Sequence, residues 1–426
     1  MSIAFGGFLL LIFSGMPIVF ALGVAALLAV ILLTDAPLTI VAQRVFGGAN
    51  SFPLMAIPFF VAAGVIMAAG GIARRFIDLA AALVGWITGS LFLVAIVTGT
   101  GLAAISGSGS ADTAAVGSIL TPEMKKRGYD IDLSAAIIAA SGSLAPIIPP
   151  SIIMVVIAIT TNQSIGAMFM GGILPGLLIA VALALTCFAF AKRGGVAYRD
   201  SEPFSLPRLG SAFIAALPAL TLPVIIVGGI VGGVFTATEA ACIALIVTVL
   251  VSVFVYREIG FGDLPPLLLK SVSLSAAVLA IVGTASLFSW IISALGAPQM
   301  LDQWFRTTTE SPVVFLLMVN LLLLVIGMFM ESISAILILM PVLMPIAIGY
   351  GIDPVQFGVM TALNLSVGLI TPPYGICLYV SAMVSGRSVD QVVRRVWIPL
   401  APMVVVLLLA AYVPAVVLTL PRLFFR

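Results

Sequence analysis

The 426-residue sequence contains no histidine and only three cysteines. Without an imidazole there is no histidine base and no histidine metal ligand, which excludes an intramembrane protease built on a Ser-His pair. Cys187, Cys242 and Cys377 stand singly in apolar runs without metal-ligand spacing, as cysteines of a packed core do. We therefore expect neither an enzyme nor an organic cofactor.

Charged residues are also scarce. They make up 8% of the sequence, hydrophobic residues make up 62%, and mean hydropathy is +1.31, whereas a soluble globular chain carries about 25% charge. Apolar stretches of about 20 residues, enough to span ~30 Å of hydrocarbon as a helix, recur near 3–33, 52–70, 133–160, 166–191, 212–234, 237–256, 271–295, 355–384 and 396–420. The sequence predicts an all-α polytopic protein in a lipid bilayer, and its net charge of +2 gives no reason to expect a nucleic-acid partner.

One segment occurs twice, 223 residues apart, with no gap in the alignment. Residues 122–150 begin P-E-M-K-K-R-G-Y-D and end S-G-S-L-A-P-I-I-P-P, while residues 345–373 begin P-I-A-I-G-Y-G-I-D and end N-L-S-V-G-L-I-T-P-P. The alignment pairs Pro122 with Pro345, Ser143 with Ser366, and Pro149-Pro150 with Pro372-Pro373. Matching halves with interrupted helices are typical of secondary transporters.

Two regions in corresponding places do not fit single membrane spans. Residues 87–121 hold an apolar run, the polar run S-G-S-G-S, and a second, shorter run that we expect to end at Pro122. Residues 312–346 repeat the pattern around the break Glu331-Ser332, with an expected stop at Pro345. Half-length segments that meet at a polar break indicate a re-entrant hairpin. In each half a broken helix follows the hairpin, at about 131–161 and about 355–384.

The chain thus divides into two repeats, 1–191 with scaffold helices at about 1–86, and 211–426, joined by a polar linker at 192–210. The loop Lys125 to Arg127 is basic, whereas the equivalent loop Ala347 to Gly349 is uncharged, so the positive-inside rule places them on opposite sides of the membrane. When the chain is followed from these two loops, changing sides at each membrane crossing, the two repeats have opposite orientations and the N-terminus is cytoplasmic. All but four of the 18 Lys and Arg are then cytoplasmic, the exceptions being Arg44, Arg306, Arg422 and Arg426.

The polar breaks suit a hard cation such as Na⁺, which binds several hydroxyl, amide and main-chain oxygens at once. The first half offers Ser106, Gly107, Ser108, Gly109 and Ser110, with Ser141 and Ser143 beside the helix-breaking Pro146, Pro149 and Pro150. The second half offers Glu331, Ser332, Ser334, Asn364, Ser366, Gly368 and Thr371. We expect two pseudo-symmetric cation sites.

A packing role is the alternative for these residues, because serine and glycine often let membrane helices approach closely. The five-residue run and its counterpart in the other half favour binding. Asp112, Glu239 and Glu331 stand in apolar surroundings, where an ionised side chain costs about 2.5 kcal/mol or more. We expect a structural or coupling role for Asp112 and Glu239, and for Glu239 a simple helix-end hydrogen bond is an equal alternative.

Two amphipathic segments follow glycines in corresponding places, I-A-R-R-F-I-D-L after Gly71 and P-Q-M-L-D-Q-W-F soon after Gly296. Such segments predict helices that lie in the membrane interface. We hypothesise that they brace a fixed frame around a moving core.

Five motifs together resemble one family. They are S-F-P-L-M-A-I-P-F-F-V-A-A-G at 51–64, A-I-S-G-S-G-S-A-D-T-A-A-V-G-S-I-L at 104–120, M-K-K-R-G-Y-D at 124–130, P-I-I-P-P-S at 146–151 and G-I-L-P-G-L-L at 172–178. From about Gly15 to about Pro414 the chain resembles the large membrane subunit (M subunit, DctM-like) of tripartite ATP-independent periplasmic (TRAP) transporters.

The resemblance implies Na⁺-coupled uptake of an organic acid, of the sialic acid or C4-dicarboxylate class, across the bacterial inner membrane. It also implies two or more Na⁺ ions, an elevator-type transport domain within a scaffold, a small four-helix membrane subunit (Q subunit) and a periplasmic substrate-binding protein (P subunit). By motif position, sodium contacts fall on Ser106, Gly107, Ser108, Ser110, Ser141, Gly142, Pro146, Glu331, Ser332, Asn364, Gly368 and Thr371. The substrate falls near Ser108, Pro150, Ser332 and Pro373.

Three other functions are open to the same residues. A single-component Na⁺/carboxylate symporter would share inverted hairpins but need no soluble protein. An ion channel would pass ions without a solute. A structural membrane subunit would tolerate changes at Ser108 or Asn364.

Overall fold

The computed structural model describes residues 2–194, 198 and 203–425, which form helices with no strand among them. Eight of these helices are long and apolar enough to cross a membrane. The all-α polytopic fold predicted from hydropathy is therefore confirmed. Met1, residues 195–197 and 199–202 of the expected linker, and Arg426 lie outside the described residues.

The first half of the chain forms ten α-helices. They are α1 Ser2–Phe13, α2 Ile18–Leu33, α3 Thr39–Ala49, α4 Ala56–Ala69, α5 Ile72–Val84, α6 Ser90–Ser106, α7 Gly109–Lys126, α8 Ile131–Gly142, α9 Ile152–Thr161 and α10 Ile165–Arg193. A 3₁₀ turn at Phe52–Met55 leads into α4.

The second half forms ten more. They are α11 Leu206–Val231, α12 Ala237–Leu250, α13 Leu264–Ala294, α14 Ala297–Thr308, α15 Pro312–Phe329, α16 Ser332–Gly349, α17 Pro354–Gly368, α18 Ile376–Ser385, α19 Val389–Tyr412 and α20 Pro414–Phe424. A π-helical turn, Val251–Val255, follows α12, and a 3₁₀ turn, Phe261–Asp263, precedes α13.

Several helix ends differ from the sequence expectation. The stretch 3–33 is two helices, because Gly15 takes a left-handed φ of +85° and Pro17 follows it. Helix α7 continues through Pro122 to Lys126, and α16 continues through Pro341 and Pro345 to Gly349. Proline is tolerated inside membrane helices because neighbouring groups satisfy the carbonyl that it leaves free.

The two halves of the chain pack into each other reciprocally. Helix α18 of the second half packs on α7 and α8 of the first, and α9 of the first half packs on α16 and α17 of the second. Around this centre, α2, α3 and α4 pack on α13, α4 also packs on α12, and α5 packs on α11. The segments that follow each helix break are therefore held by the opposite half.

The two amphipathic helices predicted from sequence are present as α5 and α14. Each begins directly after a glycine in the left-handed region, Gly71 with φ +74° and Gly296 with φ +75°, where a side chain would be strained. Arg75 on α5 donates from Nη1 to the Gly71 carbonyl at 2.9 Å and to Glu258 Oε1 at 2.7 Å. Its guanidinium also lies over the ring of Tyr256, 4.3 Å from the centroid. Arg75 thus ties α5 to the loop before α13.

This ion pair predicts a pH-dependent contribution to stability. The hydrogen bond and positive charge of Arg75 hold the pKa of Glu258 below its ordinary value of 4.5. Because the folded-state pKa is depressed, the pair stabilises the fold above the ordinary carboxyl pKa and loses that contribution as pH falls through the lower folded value. We expect Glu258→Gln to lower the melting temperature of the solubilised protein at pH 7, with the gap from wild type closing below about pH 4.

The control is Glu310→Gln, which alters an exposed glutamate and should leave the melting temperature unchanged at either pH. A Glu258→Gln gap that persists undiminished in acid would contradict the assigned ion pair.

Candidate functional site

The first polar break is a sharp turn between α6 and α7. Gly107 takes a left-handed φ of +61°, and Ser108 is extended at the start of α7. The Ser106 hydroxyl accepts a hydrogen bond from the Ser108 amide at 3.1 Å. The Ser108 side chain makes no capping hydrogen bond, which leaves its hydroxyl available to a bound group.

The second polar break is built differently. Glu331 caps α16, and its carboxylate accepts from the amides of Ile333 at 3.0 Å and Ser334 at 3.2 Å. An acidic cap complements the positive end of the helix dipole. Glu331 is therefore held in place by its own helix.

Two further helix breaks lie next to these turns. Residues 143–151 between α8 and α9 are non-helical, and the peptide bond Pro149-Pro150 is cis. Ser151 closes this loop by donating to the Pro146 carbonyl at 2.6 Å and accepting from the Met154 amide at 3.2 Å. In the other half, residues 369–375 separate α17 from α18, and Pro372-Pro373 is likewise cis.

The first turn is packed tightly against the end of α8. A Cβ atom on Gly142 would lie 2.1 Å from Thr113 Oγ1 and 2.8 Å from the Gly109 carbonyl oxygen. Asp112 is 1% exposed and lies within reach of the Ser106 hydroxyl. Its Oδ2 atom has no hydrogen-bond partner within the described part of the chain, so a buried acidic oxygen is left for a further partner.

An amide pair organises the second half of the site. Asn364 on α17 donates to the carbonyl oxygen of Asn320 at 2.9 Å and to Asn320 Oδ1 at 2.8 Å. The Oδ1 atom of Asn364 and the Oγ atom of Ser334 are both buried without a hydrogen-bond partner among residues 2–194, 198 and 203–425. Buried polar atoms in folded proteins are normally satisfied, so these oxygens are candidate ligands for a cation or a water.

The two halves meet at the centre of the site through matching residues. The Ser366 hydroxyl donates a hydrogen bond to the Ser143 main-chain carbonyl, and these two residues are 223 apart. They are the same pair that the internal alignment of the sequence equates. When two halves are related by a pseudo-two-fold axis, equivalent residues that lie close to the axis contact each other.

A cavity of about 720 Å³ lies between the two polar turns and the helices α4 and α13. Of the predicted binding residues, it is lined by Ser106, Gly107, Ser108, Ser110, Pro146, Glu331 and Ser332. Cavities of 300–1,000 Å³ are typical of small-molecule sites.

The other predicted residues lie outside this lining. Ser141 donates to the Ile138 carbonyl of its own helix at 2.9 Å, and Thr371, in the break after α17, donates back to the Val367 carbonyl at 2.7 Å. Gly142, Asn364 and Gly368 are buried behind the turns. Pro150 lies beside Gly107, whereas Pro373 is exposed and does not line the cavity.

Sequence reasoning missed three residues of this region. Asn320 is the one amide in the apolar run of α15, and that isolation was a usable signal. Thr113 gave no signal, since nothing in the sequence shows that its hydroxyl faces Gly142. Lys270, which lines the cavity, was assigned to a cytoplasmic surface by the charge rule alone.

Glu239 sits apart from the cavity, in the first turn of α12, where it forms a capping box with the N-cap residue Thr236. Its Oε2 accepts from the Thr236 amide at 2.7 Å and hydroxyl at 2.8 Å, while the Glu239 amide donates back to that hydroxyl at 3.3 Å. Glutamine serves equally in such a capping box. We expect Glu239→Gln to transport solute at the wild-type rate in vesicle uptake assays, and a large loss would show that the charge itself has a coupling role.

Comparison with known proteins identifies the family of this chain. Residues 5–416 match the family model described as "Tripartite ATP-independent periplasmic transporter, DctM component". The chain is 39% identical to the C4-dicarboxylate TRAP transporter large permease protein DctM of Rhodobacter capsulatus, over 99% of this chain and 98% of that protein. It is 38% identical to the sialic acid TRAP transporter large permease protein SiaM of Vibrio cholerae, over 98% and 97% respectively.

Two further matches extend this result. The isethionate TRAP transporter permease protein DctMQ of Oleidesulfovibrio alaskensis is 41% identical over 98% of this chain, which spans 65% of that longer protein. The crystal structure of the Alcanivorax borkumensis YdaH transporter has the same fold, with a TM-score of 0.61 at 14% identity over 89% of this chain and 90% of that one. The relatives named here are transporter permeases and not enzymes. The chain therefore belongs to the DctM-component family of tripartite ATP-independent periplasmic transporters.

Proposed function

We propose that this protein uses an inward Na⁺ gradient to take up an organic acid anion across the bacterial inner membrane. The solute is delivered by a periplasmic binding protein, and the chain works beside a small four-helix membrane subunit. The N-terminus is cytoplasmic, and the two polar turns with their neighbouring broken helices move as one transport domain within a scaffold.

One observation carries this proposal. Ser143 and Ser366, equivalent in the internal alignment, contact each other through a hydrogen bond, and α9 and α18 each pack on the opposite half. This arrangement supports two inverted repeats, 1–191 and 211–426, that share one site. Such sites near the membrane midplane are typical of secondary transporters.

The donor atoms support one cation near each polar turn. In the first half, Asp112 has a buried Oδ2 without a hydrogen-bond partner among the described residues, and its side chain lies within reach of the Ser106 hydroxyl. The same turn packs against the end of α8 through Gly142. In the second half, Asn364 Oδ1 on α17 is buried without a hydrogen-bond partner among the described residues, and the Glu331 carboxylate stands at the start of α16. Oxygen donors of this kind suit a hard cation such as Na⁺. We propose that the sodium ligands predicted from the sequence complete these two donor sets.

The solute is proposed to bind in the cavity between the turns. The Ser108 hydroxyl and the N-terminal ends of α7 and α16 face this region, and helix N-termini attract anions. Bound Na⁺ would offset the negative charge of Glu331, so binding of cation and acid is expected to be mutually favourable. Ser108 and Ser332 line the cavity, and Pro150 adjoins it.

The names of the relatives support the solute class and the partners. C4-dicarboxylate, sialic acid and isethionate are all organic acids. The longer DctMQ relative carries both subunit letters in its name, which supports a separate Q subunit beside this chain.

The test is uptake into proteoliposomes that hold this chain and its small membrane subunit. Labelled succinate, sialic acid and isethionate are offered with and without the cognate soluble protein, and with and without an inward Na⁺ gradient. Uptake of one acid that requires both Na⁺ and the soluble protein supports the proposal. Uptake that is indifferent to the soluble protein would overturn it in favour of a single-component symporter.

A further inference from the structure

The cavity between the polar turns carries one basic residue that the sodium and substrate assignments do not use. Lys270 of α13 lines the cavity together with Leu267 and Leu274. These positions are three and four residues apart, so they lie on one face of the helix. Leu269 and Val272, on another face of α13, are 69% and 62% exposed and suit contact with lipid.

Lys270 has no charged partner in the part of the chain that the structure describes. Its side chain is exposed, and it forms no hydrogen bond or ion pair with any residue that the structure describes. The other charged residue that lines the cavity is Glu331, whose carboxylate already accepts two amide hydrogen bonds from α16. The ammonium group of Lys270 is therefore available to an anion.

The position of Lys270 places it at one end of the cavity. It is the seventh residue of α13, about 9 Å from the start of the helix at 1.5 Å per residue. Ala68 and Ala69 at the end of α4 also line the cavity, and Ile66 of α4 shares an apolar cluster with Leu267 at the start of α13. Gly71 and the basic residues Arg74 and Arg75 follow directly, and the basic side is the cytoplasmic one under the positive-inside rule.

We propose that Lys270 is a specificity residue for the anion at the cytoplasmic mouth of the cavity. It attracts the carboxylate or sulfonate group of the solute there and so sets the affinity with which the open cavity exchanges anions with the cytoplasm. This inference rests on the proposed function for the identity of the solute. The attraction of anions into the cavity is a separate physical property and can be measured without transport.

The first test measures that attraction. Leu274→Cys places a thiol about one turn from Lys270 on the cavity face, in a background with Cys242→Ser and with Cys377→Ala, because Cys377 also lines this cavity. The reaction rates of a negatively charged and a positively charged methanethiosulfonate reagent are compared. We expect the ratio of anionic to cationic rates to fall about fivefold when Lys270→Gln is added, the effect of removing one exposed charge partner. It should stay unchanged with Lys126→Gln, which alters a lysine whose side chain is 77% exposed at the end of α7.

The second test measures exchange of the acid that supports wild-type uptake, with the soluble protein on the outside only. The vesicle interior then corresponds to the cytoplasm. Lys270→Gln should raise the half-saturating concentration of the acid inside the vesicles about fivefold and leave the half-saturating concentration outside unchanged. Lys270→Arg should behave as wild type, and Lys270→Glu should show the larger loss.

An unchanged reagent ratio, or an equal shift on both sides of the membrane, would overturn the role of Lys270. In a further outcome, the wild-type complex transports none of the acids and still shows a reagent ratio that depends on Lys270. That result would overturn the proposed function and would support the attraction of anions by Lys270.

Discussion

Gly142→Ala is expected to reduce Na⁺-dependent uptake by roughly 10–100-fold, because a misplacement of about 1 Å at a positioned site costs that much. A methyl group at this position would lie 2.1 Å from Thr113 Oγ1 and 2.8 Å from both the Gly109 carbonyl oxygen and the Thr113 amide nitrogen. Two of these three atoms belong to the main chain and cannot rotate away. The first turn and the end of α8 must separate, which moves Asp112 and Ser106 from their present positions.

The matched control is Gly228→Ala on α11, where a Cβ atom would meet nothing within 4 Å. Alanine in a helix interior is more favourable than glycine by about 1 kcal/mol, so this variant should be at least as stable as wild type and transport normally. Both variants are compared by uptake at equal amounts of folded protein. Normal uptake by Gly142→Ala would show that the tight contact between α7 and α8 is not needed for transport.

The second large effect is expected at Asn364. Asn364→Leu removes the free Oδ1 and both hydrogen bonds to Asn320. The loss of a polar contact to a charged group is worth about 1.5–3 kcal/mol, so Na⁺ affinity should fall roughly 10–100-fold. The Na⁺ concentration that gives half-maximal uptake is the quantity to measure.

Asn320→Leu separates a binding role from a structural one. It removes the Asn320 Oδ1 that accepts from Asn364, but it leaves Asn364 Oδ1 in the protein. Both variants break the Asn364–Asn320 hydrogen bond, so we expect both to lower the melting temperature of the protein. Asn320→Leu, however, should retain clear Na⁺-dependent uptake. Equal losses of uptake in both variants would mean that the amide pair is structural and that Asn364 does not bind Na⁺. Asn162→Gly, at an exposed left-handed helix end with φ +53°, should change neither property.

The positions of the helix breaks were predictable because their signals are local. Glycine and serine at 106–110, the acidic Glu331, and the two proline pairs each change the backbone within a few residues, and helices end at all four places. Hydropathy was sufficient for the all-α membrane fold. The DctM resemblance, now confirmed by the family model, came from motifs that contain these same residues.

What the sequence did not predict depends on tertiary packing. The prolines at 122 and 345 were expected to stop their helices, but neighbouring helices support the chain beyond them. The pairing of Asn364 with Asn320 joins residues 44 apart on different helices. Lys270 lines the cavity because one face of α13 is turned toward the polar breaks. A helix that is apolar on all sides has no hydrophobic periodicity from which that face could be predicted.

The most direct test of Na⁺-coupled uptake counts ²²Na⁺ and the ¹⁴C-labelled acid in the same vesicles. The complex of this chain, its small membrane subunit and its soluble protein is used with an imposed membrane potential, negative inside. Each net positive charge that enters gains about 2.3 kcal/mol per 100 mV. We predict that Na⁺ enters only together with the acid, with at least two Na⁺ per monoanion or three per dianion, and that uptake slows when the potential is collapsed. Na⁺ entry without the acid, or acid entry without Na⁺, would contradict coupled transport by this protein.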